Sequence, residues 1–167
     1  MIDVDLGMLL LRAALGPMII MHGWNKLRGP GGLSGTERWF AQLGFRPAGL
    51  HARVAAVSEL GAGVLMVAGL LAPLAAAAFV GLMAVASVTD HRGKGYFVFA
   101  GGWEYTLLVG MVAPVVAVVG PGAWSIDGLL GLDGLHGVWW GVAAIAAGLV
   151  GAGAVLTTSY RPVASRS

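Results

Sequence analysis

The side chains able to do chemistry in this chain are few, and apolar sequence surrounds them. Arg12 lies well inside an apolar run that begins at Leu6 and closes on the polar motif His22-Gly23-Trp24-Asn25-Lys26. Glu59 interrupts a second apolar run, His91 follows the end of that run, and Glu104 opens a third. A charge inside a membrane-length apolar segment is costly and by default marks a site whose partner must be found. His22 and Lys26 are four residues apart and share one helix face. Imidazole, ammonium and guanidinium groups donate hydrogen bonds, and carboxylates in apolar surroundings hold and pass protons. The set therefore suits proton relay and the orientation of a ligand's oxygen atoms. Arg12 is expected to pair with Glu59 or Glu104, because an unpaired charge at that depth costs several kcal/mol.

Each residue also has a plainer reading. The arginine–carboxylate pair serves equally well to fix helix register. His22 fits an interfacial cap and His91 a solvated loop. Histidines and carboxylates suit iron or zinc, but His22, His91, Glu59 and Glu104 lack recognisable ligand spacing, so no metal site is assigned. The tryptophans mostly flank apolar segments, as interfacial anchors do.

The elements that must position these residues follow from composition. Of 167 residues, 57% are hydrophobic and 11% charged, against roughly 25% charged in soluble domains. The chain reads as one small membrane domain over residues 1–167, with no separate soluble part. The acidic start, Met1-Ile2-Asp3-Val4-Asp5, lacks the basic region of a signal peptide, so the first helix is expected to be retained. There is no cysteine, which excludes disulfides, thiol relays and Cys-ligated clusters within the chain.

Five spans are expected, at about 6–24, 54–71, 74–89, 103–119 and 138–157. Ala72-Pro73 breaks the long run between Val54 and Val88 into a helical hairpin. The fold class is thus an all-α integral membrane bundle. Lys26, Arg28, Arg38, Arg46, Arg53, Arg92, Lys94, Arg161 and Arg166 all fall on one side of these spans, while Asp3, Asp5, Asp127 and Asp133 fall on the other. By the positive-inside rule the N-terminus is outside and the C-terminus cytoplasmic. This arrangement makes the basic residues a topology signal rather than a nucleic-acid signal.

Within the first loop, Ser34 and Glu37 have capping-box spacing and Gly44 suits a helix end. Residues 35–43 are expected to form an interfacial helix with Trp39, Phe40 and Leu43 on one face, either a connector or a lid. In the fifth span, Ala144, Gly148 and Ala152 allow close helix approach, and the partner is either within the chain or in another subunit.

Taken together, the motifs resemble the DoxX family of small bacterial membrane proteins, related to the DoxD subunit of thiosulfate:quinone oxidoreductase. The resemblance runs from about Leu9 to Asp127. It rests on Arg12 with Gly16, His22-Gly23-x-x-Lys26, Trp39-Phe40 with Leu43-Gly44, Glu59-Leu60, His91, Gly102-x-Glu104, and Gly120-Pro121-Gly122 followed by Ser125-x-Asp127. Family members commonly have four spans, so the fold becomes a four-helix bundle of DoxX type plus a fifth, C-terminal helix. The resemblance implies a subunit of a redox complex in the bacterial inner membrane, working with other redox proteins. It implies quinone, menaquinone or ubiquinone, as electron acceptor. In that reading Arg12, His22 and Lys26 donate to the quinone, Glu59 and Glu104 relay protons, and His91 joins the polar cluster. The competing readings are a non-catalytic scaffold or accessory subunit and, with less support because no inverted repeat is visible, a small-solute transporter.

Overall fold

In a bilayer the backbone must satisfy its own hydrogen bonds, which sustained apolar sequence does by forming helices. The computed structural model describes residues 2–132 and 134–162. Met1, Asp133 and Arg166, which enter the sequence reading, lie outside them. The elements are α1 (Ile2–Arg28), α2 (Gly32–Leu43), α3 (Ala48–Ala68), α4 (Ala72–Thr89), α5 (Glu104–Val112), α6 (Pro114–Val119), α7 (Ile126–Leu129) and α8 (Val138–Ser159). Four of them, α1, α3, α4 and α8, are long and apolar enough to cross a membrane.

The boundaries depart from expectation for identifiable reasons. At 27 residues and 1.5 Å per residue, α1 is roughly 40 Å long, beyond the ~30 Å hydrocarbon thickness. Its extra turns carry Asp3 and Asp5 at the start and Lys26 and Arg28 at the end, the charge signs that a helix dipole favours there. Helix α3 starts at Ala48 rather than near 54, directly after the extended Pro47. The break before α4 is tight. Gly69 takes a left-handed conformation (φ 60°), Leu71 does the same (φ 49°), and Pro73 sits in the first turn of α4. The expected fourth span is divided at Pro114 into α5 and α6, with Ala113 still helical between them. Residues 104–119 form only a shorter apolar helix, about 24 Å long at the same rise per residue.

Two seams of small residues hold the bundle. Along α1 and α3, a Cβ on Gly16 would lie 3.0 Å from the Gly63 carbonyl oxygen, and one on Gly63 would lie 2.8 Å from the Gly16 oxygen. The two backbones therefore touch, as small residues permit in membranes. Along α4 and α8, Ala144, Gly148 and Ala152 are buried, and a Cβ on Gly148 would meet the Ala77 carbonyl at 2.6 Å. The partner of the α8 stripe is thus α4 of the same chain. Between the seams, Met8, Leu15, Ile19, Met66, Phe79, Met83, Val109 and Val116 form the core.

Gly16 meets Gly63 and Gly23 meets Ala56, so α1 and α3 run antiparallel, and charges sort to the two ends. At the basic end, Phe45 bridges Tyr160, the Arg46 amide donates to the Ser159 carbonyl, and Phe40, Phe45 and Tyr160 pack together. At the acidic end the Ala123 amide donates to Asp5, and Asp127 faces the α3–α4 turn. The α1–α3 contact yields a direct expectation. Gly63→Val should destabilise the protein by about 1–3 kcal/mol through overpacking. Gly61→Ala, where an added Cβ meets nothing within 4 Å, should be neutral or stabilising by up to about 1 kcal/mol. Thermal unfolding in detergent measures both.

Candidate functional site

The seam that brings α1 against α3 also sets the chemistry at the basic end. A Cβ on Gly23 would lie 3.0 Å from the Ala56 carbonyl oxygen, so the last turns of α1 lie directly on the α3 turn that carries Glu59. Lys26 Nζ reaches both Glu59 oxygens at 2.8 Å. The side chains are only 13% and 10% exposed, and burial at that level makes mutual pairing the condition for keeping both charges. The Trp39 ring on α2 covers the ammonium at 5.8 Å, within cation–π range. Thr36 donates to the Lys26 carbonyl at 2.8 Å, which pins α2 over the pair. Glu37 does not close the expected capping box. Its carboxylate pairs with Arg53 at 2.8 Å, and the residue before α2 is the left-handed Gly31. Gly44 ends α2 as expected, with its amide donating to the Phe40 and Ala41 carbonyls.

A cavity of about 700 Å³ opens beside the pair. Its polar end holds His22, Lys26, Glu59, Asp90, His91 and Tyr105. From there it runs along one face of α4, from Ala86 and Leu82 to Leu74, between α3 and α8. Trp39, Phe40 and Leu43, the apolar face of α2, close it from the basic end. A second cavity, about 250 Å³, lies between the end of α1 and the start of α2. It is lined by His22, Asn25, Lys26, Thr36 and Trp39 among others.

The six residues singled out in the sequence separate into three places. His22, Lys26, Glu59 and His91 share the large cavity. His91 is also held by its loop, with Nδ1 2.6 Å from the Gly101 carbonyl oxygen and Nε2 4.0 Å from Asp90. Glu104 lies outside that lining. Its carboxylate accepts from the Val98 amide at 2.9 Å and ties down the loop before α5. Arg12 points the other way, and its expected carboxylate partner is replaced by carbonyls. It donates to Val67 at 2.7 Å and to Trp124. The reason is distance. Lys26 already occupies Glu59, and Arg12 lies about four turns from the Lys26 level at 3.6 residues per turn. The free carbonyls at the α3 C-terminus, the negative end of a helix dipole, lie within its reach.

Asp127 completes that end. It accepts from the Leu71 and Ala72 amides at 2.8 and 3.0 Å, satisfying the exposed first turn of α4. Its own amide donates to Gly69. A Cβ on Gly69 would lie 2.8 Å from Arg12 Nη1 and 2.5 Å from the Ser125 Cβ, so glycine is required there for space as well as for φ. Sequence reasoning quoted Ser125 and Asp127 without finding this role. It also passed over Tyr105 and Thr106, polar residues in the first turn of an apolar segment. Tyr105 donates to the Met18 sulfur, and Thr106 shares a 2.6 Å hydrogen bond with Ser87. Among the described residues, no three His, Asp or Glu side chains come together as a metal-ligand group.

The DoxX family model matches residues 7–92, just over half of the chain. No curated protein matches it, and no solved structure does.

The buried pair has a testable energetic signature. Glu59→Leu strands the Lys26 ammonium and should cost about 3–5 kcal/mol, whereas Lys26→Met with Glu59→Leu should recover most of that loss. Unfolding midpoints of the two single variants and the double variant close the cycle.

Proposed function

The chain belongs to the DoxX family, and from that premise we propose that it is the membrane subunit of an oxidoreductase complex, with a quinone site in the large cavity. The observation that carries the proposal is a 700 Å³ apolar cavity that ends on the buried Lys26–Glu59 pair. Its volume falls in the range of about 300–1,000 Å³ usual for small-molecule sites. A quinone needs an apolar channel for its tail and hydrogen-bond donors for its ring oxygens, and the residues present fit both needs. The α4 face from Leu74 to Ala86 supplies the channel. Lys26, His22 and Tyr105 supply donors at its polar end. When bound, a quinone accepts electrons and takes up protons at its ring oxygens.

In this reading Lys26 orients one ring oxygen and Glu59 holds a proton next to it. Trp39 and Phe40 exclude bulk water, so that these hydrogen bonds act at low dielectric. The chain has no thiols, so in this reading electrons come from a partner protein or a bound cofactor. The charge asymmetry supports placing the basic end, and with it the polar end of the cavity, on the cytoplasmic side of a bacterial inner membrane.

Gentle purification from native membranes, with quinone extraction and identification of co-purifying proteins, tests this. The expected result is about one quinone per chain, reduced at least tenfold by Glu59→Gln and unchanged by Glu37→Gln at the surface pair with Arg53. A quinone-free protein bound tightly to a partner would overturn it in favour of a scaffold subunit.

A further inference from the structure

The two cavities share three lining side chains. His22, Lys26 and Trp39 line both of them, while Asn25 and Thr36 line only the smaller and Glu59 only the larger. The smaller cavity sits where the last turns of α1 meet the first turns of α2, at the end of the bundle that carries the basic residues. Its 250 Å³ is room for several waters, each of which occupies about 30 Å³ in the liquid. The asparagine amide, threonine hydroxyl, imidazole and ammonium give those waters the polar partners they need. The larger cavity is walled chiefly by apolar side chains and glycines, and its carboxylate, Glu59, is bound to the Lys26 that both cavities share. Trp39 is apolar over most of its surface, so among the shared residues the groups able to carry a proton from one cavity to the other are Lys26 and His22.

We infer that the smaller cavity is an aqueous inlet through which protons pass from the basic end, by way of Lys26 and His22, to Glu59 in the membrane cavity. The transfer balances against the aqueous phase. Lys26 Nζ, already hydrogen-bonded to both Glu59 oxygens, gives one proton to the carboxylate and recovers one from a hydronium ion that enters the small cavity from bulk water, so that one proton moves from the solution to Glu59 and no hydroxide is left behind. His22, one turn earlier on α1, lines the same cavity. The other titratable groups on the large cavity are His51 on α3, Asp90 and His91 at the end of α4, and Tyr105 on α5, and none of them lines the small one. The inlet deepens the quinone reading by giving that site its proton supply, but neither test below requires a quinone.

The chain has no native cysteine, so single cysteines report accessibility cleanly. Thr36 is buried at 8% exposure and lines only the small cavity, whereas Ser58 lines only the large one. In sealed vesicles, a membrane-impermeant thiol reagent added at the basic face should modify Thr36→Cys at least tenfold faster than Ser58→Cys. An unreactive Thr36→Cys, or a Ser58→Cys that reacts equally fast, would overturn the inlet. The second measurement is the carboxyl infrared band that Glu59→Gln removes, followed after a pH jump at the basic face. Asn25→Leu, which takes away a polar lining group, should slow the appearance of that band about tenfold. An unchanged rate, or the absence of any such band in the wild type, would count against the inlet. If quinone alone is absent, the labelling pattern and the band kinetics persist, so failure of the quinone reading is told apart from failure of the inlet.

Discussion

One ammonium against one carboxylate, at a depth where neither is stable alone, organises the basic end of this protein. The Lys26–Glu59 contact forms only because Gly23 lets α1 lie on the α3 backbone at Ala56. A side chain at residue 23 would press on the Ala56 carbonyl at 3.0 Å and force the helices to shift. The pair in turn fixes where α2 can rest. The Thr36 hydroxyl binds the Lys26 carbonyl, and the Trp39 ring covers the ammonium. Backbone proximity, charge pairing and the placement of α2 are thus successive consequences of small residues along one helix face.

The acidic end answers the same constraint in another way. A buried guanidinium needs several acceptors, and the chain supplies carbonyls from α3 and from the segment before α7. Asp127 does the reverse and accepts from the amides that open α4. Together these residues tie α1, the α3–α4 turn and the segment around α7 to one another at the acidic end of the bundle, although the Arg12 Nε has no hydrogen-bond partner among the described residues. Arg12 and Asp127 direct their polar atoms at backbone, which makes this end a fastening. The polar atoms of Lys26, Glu59 and His22 border open volume, and that is the end at which we propose a ligand site.

The matched family region, residues 7–92, contains most of α1 and all of α2 to α4, and those helices supply the ion pair, the α2 residues that close the large cavity, and its floor. The remaining wall comes from beyond it. Tyr105 and Thr106 on α5 close one side, and Ala147, Gly148, Gly151, Ala152 and Val155 on α8 close another. The C-terminal helix therefore shapes the cavity, and the Phe45–Tyr160 bridge anchors its far end beside α2. The small residues of α8 serve two purposes. Gly148 permits contact with α4, while Gly151, with open space at its Cβ position, leaves the groove clear.

Sequence alone determined the helices and the sorting of charge, because both are local properties. Apolar runs of membrane length, a proline at residue 73 and a left-handed glycine at residue 44 act through the backbone near them. The positions of Lys and Arg need only the order of spans to fall at one end. Sequence also drew His22, Lys26, Glu59 and His91 to that end and located the small-residue stripe on α8. Pairing was decided by tertiary structure. Whether Glu59 meets Arg12 or Lys26 depends on the axial register of α1 against α3, and that register is set by contacts among Gly16, Gly23 and Gly63 that no single-helix pattern encodes. The same holds for Asp127, whose partners lie 55 and 56 residues away in the chain. Cavities are further still from the sequence, since they are the volume left over after every helix has found its neighbours.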